Sequence, residues 1–169
     1  GETLVSIAQN KLDISLLGAE VYQSGIGTVL SKADEFNLEN IKIVNEDAED
    51  LLQNKIPDNS FDVIIMFYPD PWPKRRHHKR RLIKKEFIDL LHKRLKPSGI
   101  FYFKTDWKDY FDKVNLLFEG PNWEDLNLID SENYSRGQQA IDYVYRVKSY
   151  YEILSAHACI APKDQLVLF

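Results

Sequence analysis

The sequence predicts an α/β fold built on an open, mainly parallel β-sheet with helices on both faces. Three observations carry that prediction. Four short runs rich in β-branched and aromatic residues recur along the chain: "ISLLGAEV" (14–21), "IKIVNED" (41–47), "FDVIIMFY" (61–68) and "GIFYFKTD" (99–106). Their apolar character is nearly continuous rather than alternating, as expected of parallel strands covered on both sides. Helix-forming stretches separate them, and an acid stands at or just after the end of each run: Glu20, Asp47, Asp70 and Asp106.

Taken in order, residues 3–11 read as a helix leading into the first run, and 24–36 as the helix between the first and second. A short helix follows near 48–54. Residues 81–96, "RLIKKEFIDLLHKRLK", carry Leu82, Phe87, Leu90, Leu91 and Leu95 on one approximate face, and "PSG" at 97–99 stops them. A further helix is expected from about 106 to 118. In the last third, "PNWEDLNLI" and "DQLVLF" read as strands, an antiparallel closing pair, with a loop and a helix between them. There is no internal repeat, low-complexity segment or linker, so residues 1–169 read as one domain.

Composition excludes several classes. The single cysteine, Cys159, cannot support an internal disulfide framework and fits a reducing, cytoplasmic setting. No apolar run approaches the roughly 20 residues of a membrane span, and the first residues lack the form of a secretion signal. Charge is informative once divided. Residues 74–85 hold eight Lys and Arg and no acid, so in a chain of net charge −4 the remainder carries −12. A charge run is commonly a solvated helix start. This one has no acid to pair with and directly follows a buried-type strand, which points to an anion-binding site. His77 and His78 lack Cys or acid partners at metal-ligand spacing, so they read as part of the anion-facing run or as solvated, and no metal is expected. Cys159, Trp107 and the Tyr-rich stretch 143–151 read as core, and Trp72 as filler at the sheet edge.

In open α/β sheets, ligands bind outside the carboxyl ends of the strands, where the four acids fall. An acid ending the second strand of such a fold accepts hydrogen bonds from a ribose diol, because a carboxylate can take both hydroxyls. "EDA" at 46–48 then suits an adenine, with a carboxylate for its amino group and a backbone N–H for a ring nitrogen. An adenosine-bearing cofactor follows.

Four stretches carry a resemblance: "YPDPWPKRRHHKRR", "GAEVYQSGIG" (18–27), "NEDAEDLL" (45–52) and "KTDWKDY" (104–110). Together they resemble the bacterial tRNA (guanine-N7-)-methyltransferases, from Gly1 to about Tyr110 and again, weakly, near 149–152. The resemblance implies a Rossmann-like S-adenosylmethionine-dependent methyltransferase fold, S-adenosyl-L-methionine as methyl donor and a tRNA guanine as acceptor. By matching position it implies cofactor contacts at Glu20, Asp47, Ala48 and Asp70, with Asp70 also the catalytic acid. It further implies substrate contacts at Lys74, Asp106, Ser149 and Glu152, and RNA contacts at Arg76, His77, His78, Lys79, Arg80 and Arg81. "SYYEIL" (149–154) departs from the family by placing Leu154 where a base is usual. The fold's first strand and its glycine turn are missing ahead of Gly1. Such a sheet would expose two long inner edges, so the domain is expected to be N-terminally incomplete and part of a longer polypeptide.

The residues suit that chemistry. Guanine N7 has a lone pair and no proton, so positioning rather than a strong base is required. Pro69 and Pro71 restrict the backbone on either side of Asp70. Two other readings stand beside this one. A methyltransferase with a protein amide acceptor would carry an Asn-Pro-Pro-aromatic turn, which "YPDPWP" is not. A non-catalytic RNA-binding domain would explain the altered 149–154 stretch but not the four acids. Oligomeric state is not legible.

Overall fold

A computed structural model describes residues 1–125, 141–147 and 166–168. The chain opens with α1 (Glu2–Asn10), β1 (Ser15–Ala19), α2 (Gln23–Glu35), β2 (Ile41–Val44), α3 (Ala48–Asn54) and β3 (Phe61–Phe67). A 3-10 helix (Arg75–Arg80) then precedes α4 (Lys85–Arg94), β4 (Leu95–Thr105), α5 (Lys108–Leu117), β5 (Trp123–Asp125), β6 (Ile141–Val147) and β7 (Leu166–Leu168). The seven strands form one sheet in the order β2-β1-β7-β3-β4-β6-β5. Strands β1, β2, β3, β4 and β7 run parallel to one another, while β6 is antiparallel to both β4 and β5. Among the described residues, no helix is long and apolar enough to cross a membrane.

Two apolar clusters cover the two faces of the sheet. Leu4, Val5 and Ala8 of α1 and Val29 of α2 pack with Leu16, and the partly buried Val63 and Ile65 of β3 join them. On the other face, Ile64 and the partly buried Met66 meet Phe101, Phe103, Phe87, Leu91, Tyr110 and Val114 from β4, α4 and α5. Strand β3 thus sends alternate residues to opposite layers, the period-two geometry of a strand with helices on both sides. Phe61 nevertheless shares a layer with Ile64, three residues on. The β3–β4 register shifts between Phe61 and Val63, and such an irregularity resets which face a residue presents.

Three expectations need correction. The helix anticipated over 81–96 is shorter: it begins at Lys85, after an N-cap at Lys84, and Leu95 already belongs to β4. Strands β5 and β7 do not close the sheet as a pair. Instead β5 joins β6, in a stretch read as loop and helix, and β7 lies parallel between β1 and β3. The two inner edges expected to stand open are therefore paired in part: Leu166–Leu168 lies against Ser15–Leu17 of β1 on one side and against Val63 and Ile64 of β3 on the other.

Candidate functional site

Because β1 to β4 are parallel, their carboxyl ends lie along one edge of the sheet, and the four acids predicted from sequence follow those ends. Glu20 comes directly after β1, and its Oε1 accepts the Tyr22 N–H at 2.9 Å, fixing the carboxylate beside the turn into α2. Asn45, past the end of β2, donates through Nδ2 to the Glu20 carbonyl (2.9 Å) and the Val21 carbonyl (3.1 Å). This amide ties together the two strand ends that carry Glu20 and Asp47. It lies inside a stretch quoted for its acids, and nothing in the sequence singles it out.

Asp47 is the N-cap of α3. Its Oδ1 accepts the Glu49 N–H at 2.8 Å and the Asp50 N–H at 3.2 Å, satisfying two donors that an unassisted helix end would leave unpaired. One carboxylate oxygen is thus structural, and Oδ2 remains as an acceptor.

A cavity of about 300 Å³ opens at this edge. Gly18, Ala19 and Glu20 line one side, Gly25 and Val29 of α2 another, and Ile43, Ala48, Ile65, Met66 and Phe67 complete it with Gly1, Thr3 and Leu4. Asp47 is not in the wall, whereas its neighbour Ala48 is. Gly25 has a spatial reason to be glycine. A Cβ there would meet Glu20 Cγ and Oε2 at 3.2 Å, so the bare backbone lets the first turn of α2 approach the carboxylate.

Asp70 and Asp106 lie beyond the ends of β3 and β4, both exposed. Among the described residues, no hydrogen bond or ion pair engages either carboxylate. The turn carrying Asp70 is strained. Tyr68 and Trp72, which bracket Pro69-Asp70-Pro71, have φ of 51° and 44°, in a left-handed region that side chains of this size avoid. Such residues cost about 1–3 kcal/mol each and persist only where the surroundings impose them. Here the Tyr68 N–H extends the ladder by donating to the Lys104 carbonyl at 2.8 Å. Tyr68 is 52% exposed and Trp107, after β4, 39% exposed. The expectation that Trp107 is core is therefore corrected, and two aromatic side chains flank the acids at this edge.

The basic segment divides into two kinds of residue. Lys74, Arg75, Arg76, Lys79 and Arg80 are exposed. Trp72 supports them: the Arg80 guanidinium lies 4.9 Å from its ring centroid and His77 meets it edge-on at 5.9 Å. Cation–ring contact and stacking hold these side chains against the turn. Trp72 is thus a brace for the basic helix as well as filler. His78 points back into the protein, 3.4 Å from the Pro73 carbonyl and 3.1 Å from Lys113 Nζ. Arg81, expected among the RNA contacts, is 3% exposed. Its Nε donates to the Pro71 carbonyl at 2.7 Å and its Nη2 to Asp109 Oδ2 at 2.8 Å. Asp109 also accepts from Lys113 at 3.0 Å. The hydrogen bond from Arg81, then that from Lys113, draws the Asp109 carboxyl down to a pKa of about 2. Burial raises the pKa of Tyr110, whose hydroxyl oxygen accepts the Ile83 N–H at 3.1 Å.

The structure thus gathers Glu20, Ala48, Asp70, Lys74, Asp106 and the exposed basic residues at one edge. Asp47 serves that edge as a cap, and Arg81 lies beneath it. Ser149, Glu152 and Cys159 fall outside the described residues. Among those described, no group of three or more His, Cys, Asp or Glu gathers as a metal site requires.

Comparisons with known proteins agree in direction. A family model described as "putative methyltransferase" matches residues 1–150. A protein of Nitrosospira multiformis named tRNA (guanine-N(7)-)-methyltransferase is 38% identical over 162 residues, covering 88% of this chain and 71% of that protein. One of the same name from Nitrosococcus oceani is 46% identical over 117 residues, covering 69% of this chain and 50% of its own length. The chain thus spans from about half to under three-quarters of these relatives. Among solved structures, a putative rRNA methylase from Clostridium thermocellum superimposes with a TM-score of 0.57 at 12% identity, over 80% of this chain and 73% of that one. That likeness is one of fold.

Proposed function

The chain belongs to the tRNA (guanine-N(7)-)-methyltransferase family, and from that membership we propose that it transfers a methyl group from S-adenosyl-L-methionine to N7 of a guanine in tRNA. One observation carries the reading: a glycine-lined cavity, an acid on a doubly constrained turn and an exposed basic helix converge on a single sheet edge.

The cavity residues fit the cofactor. The Glu20 carboxylate supplies the acceptor that a ribose diol needs. Ala48 opens α3, so its N–H has no partner within the helix and suits an adenine ring nitrogen, with Asp47 Oδ2 for the amino group. Ile43, Ile65 and Met66 offer apolar surface to the base. Bound there, S-adenosyl-L-methionine would supply an electrophilic sulfonium methyl.

The chain's own contribution is placement. Guanine N7 attacks through a lone pair it already has, so no residue must remove a proton first. In this reading Asp70, three residues beyond the Phe67 wall of the cavity, would lie near the zone where base and methyl meet. Its carboxylate favours the positive charge that the base gains, a preorganised electrostatic effect. Asp106, across from it at the end of β4, suits the guanine N1–H and amino donors. Lys74 and the exposed Arg76, Lys79 and Arg80, with His77, hold phosphates, which fix position rather than sequence. We carry Ser149 and Glu152 as further acceptor contacts on family resemblance alone. A guanine buried in tRNA tertiary structure must be splayed out to reach this edge, and a tRNA acceptor places the reaction in the cytoplasm.

The test is atomic. Unmodified tRNA and the same tRNA with 7-deazaguanine at the methylated position are offered with labelled donor. Transfer to the first and none to the second, with both RNAs bound alike, is the expected outcome. Equal labelling of both would show that the acceptor is not N7.

A further inference from the structure

Resting on the methyltransferase reading, we propose that Arg81 is a positioning residue for the Asp70 turn and not an RNA contact, although it ends a run of exposed bases. In sequence it is indistinguishable from Arg80. In the fold the two part company: Arg80 is exposed over Trp72, while Arg81 is almost wholly buried.

The guanidinium is enclosed on three sides. Its Nε holds the carbonyl of Pro71, the residue directly after Asp70, and its Nη2 holds Asp109 on the first turn of α5. Its face lies 4.7 Å from the centroid of the buried Tyr110 ring. A buried cation is tolerated only when paired, and here the partner is a carboxylate that Lys113 also steadies. With its charge answered by Asp109 and its surface covered, Arg81 adds little to the field that an RNA phosphate meets. What it adds is a tie between α5 and a turn whose flanking residues, Tyr68 and Trp72, sit at positive φ. A strained turn relaxes unless something outside it imposes the geometry. Nη1 is buried without a partner among the described residues, so the planar fork is aimed at two acceptors in fixed directions rather than at full satisfaction of its donors. A lysine keeps the charge but cannot bridge both acceptors in that plane.

Arg81→Lys and Arg80→Gln, in the full-length protein, separate this role from phosphate binding. Two quantities are measured: the salt dependence of tRNA affinity, and single-turnover methyl transfer with protein in excess. Arg80→Gln is expected to flatten the salt slope by roughly 0.7–0.9, the loss of one phosphate contact. Arg81→Lys and Arg81→Gln should leave that slope unchanged. Arg81→Lys should instead lower the transfer rate constant at saturating protein, by up to roughly 10²-fold if Asp70 moves by about 1 Å, while the folded fraction seen by circular dichroism is retained. Simple destabilisation would do the reverse, reducing the folded fraction and leaving the rate constant at saturating folded protein alone. Asp109→Asn loosens the same tie from its exposed end, so its rate loss should be smaller and should not add to that of Arg81→Lys. If Arg81→Lys fails to fold, Asp109→Asn carries the comparison. A wild-type rate in Arg81→Lys, or a salt slope in Arg81→Gln flattened as in Arg80→Gln, overturns the proposal. Wild-type protein that transfers no methyl group would instead sink the methyltransferase reading on which it rests.

Discussion

Asp109 is half exposed, yet two cations hold its carboxyl at about 2, and the consequence for stability has a definite sign. A carboxyl whose pKa falls on folding stabilises the fold fully above its unfolded value, near 3.8, and loses that contribution as pH drops through about 2. The difference in urea midpoint between wild type and Asp109→Asn should therefore be constant from pH 5 to 8 and shrink between pH 4 and 2. A difference that instead vanishes near pH 6 would contradict the assignment to Asp109. Glu20 makes the matching prediction for the cavity. Glu20→Ala should weaken S-adenosyl-L-methionine strongly in calorimetry, and Gly25→Ala, which crowds that carboxylate without removing it, should weaken it less. Equal affinity in wild type and Glu20→Ala would remove the cavity as the cofactor site. Glu20, Asp47, Asp70 and Asp106 were legible because a strand end followed by an acid is a local pattern. Arg81 was not, since its partner Asp109 lies 28 residues away and its neighbours in sequence point the other way.

Helix α3 was legible to the residue, and its cap explains why. Asp47 is a side chain that a helix start prefers, and it is followed by a helix-forming run ending at Asn54. Asp47→Ala should cost about 0.5–2 kcal/mol of stability by removing the cap. Asp47→Asn should restore most of it while still weakening the cofactor, because the charge at Oδ2 is lost. If Asn rescues affinity as well as stability, Asp47 is a cap and nothing more. The sequence reading assigns Arg75–Arg80 no element, and the helix expected from residue 81 begins only at Lys85. Arg75–Arg80 has no apolar residue, and helices in proteins are sustained chiefly by burying an apolar face. The six residues therefore make a short 3-10 helix braced by Trp72, and burial resumes only at Arg81 and Ile83. Neutralising Arg76, Lys79 and Arg80 together should flatten the salt slope of tRNA binding by roughly 2–3. An unchanged slope would make the segment a solvated face.

At the scale of the whole sheet, the parallel order of β1 to β4 followed from strand–helix alternation, because right-handed crossovers leave few other arrangements. The centre did not. Three residues at the far end of the chain, Leu166–Leu168, pair in parallel with both β1 and β3, and nothing local to a Leu-Val-Leu run names its neighbours. Strand β6 was missed for a related reason. Its β-branched and aromatic residues, IDYVYRV, suit a strand, but its pairing between β4 and β5 is set by partners distant in sequence. The molecule that results puts its cavity, its strained acid and its cations on one edge, so the account stands or falls on what Asp70 does there.

That is tested most directly by single-turnover transfer of labelled methyl to unmodified tRNA, for wild type and Asp70→Asn, between pH 6 and 9. The account predicts wild-type transfer that maps to guanine N7. In the mutant the rate should fall by about 10²–10³-fold, the loss of one preorganised electrostatic contact, with tRNA still bound. Because N7 has no proton to lose, the deficit should be the same at every pH. A mutant rate that climbs back toward wild type as pH rises would mean that a general base is missing, and no transfer by the wild type would mean that the molecule binds tRNA without modifying it.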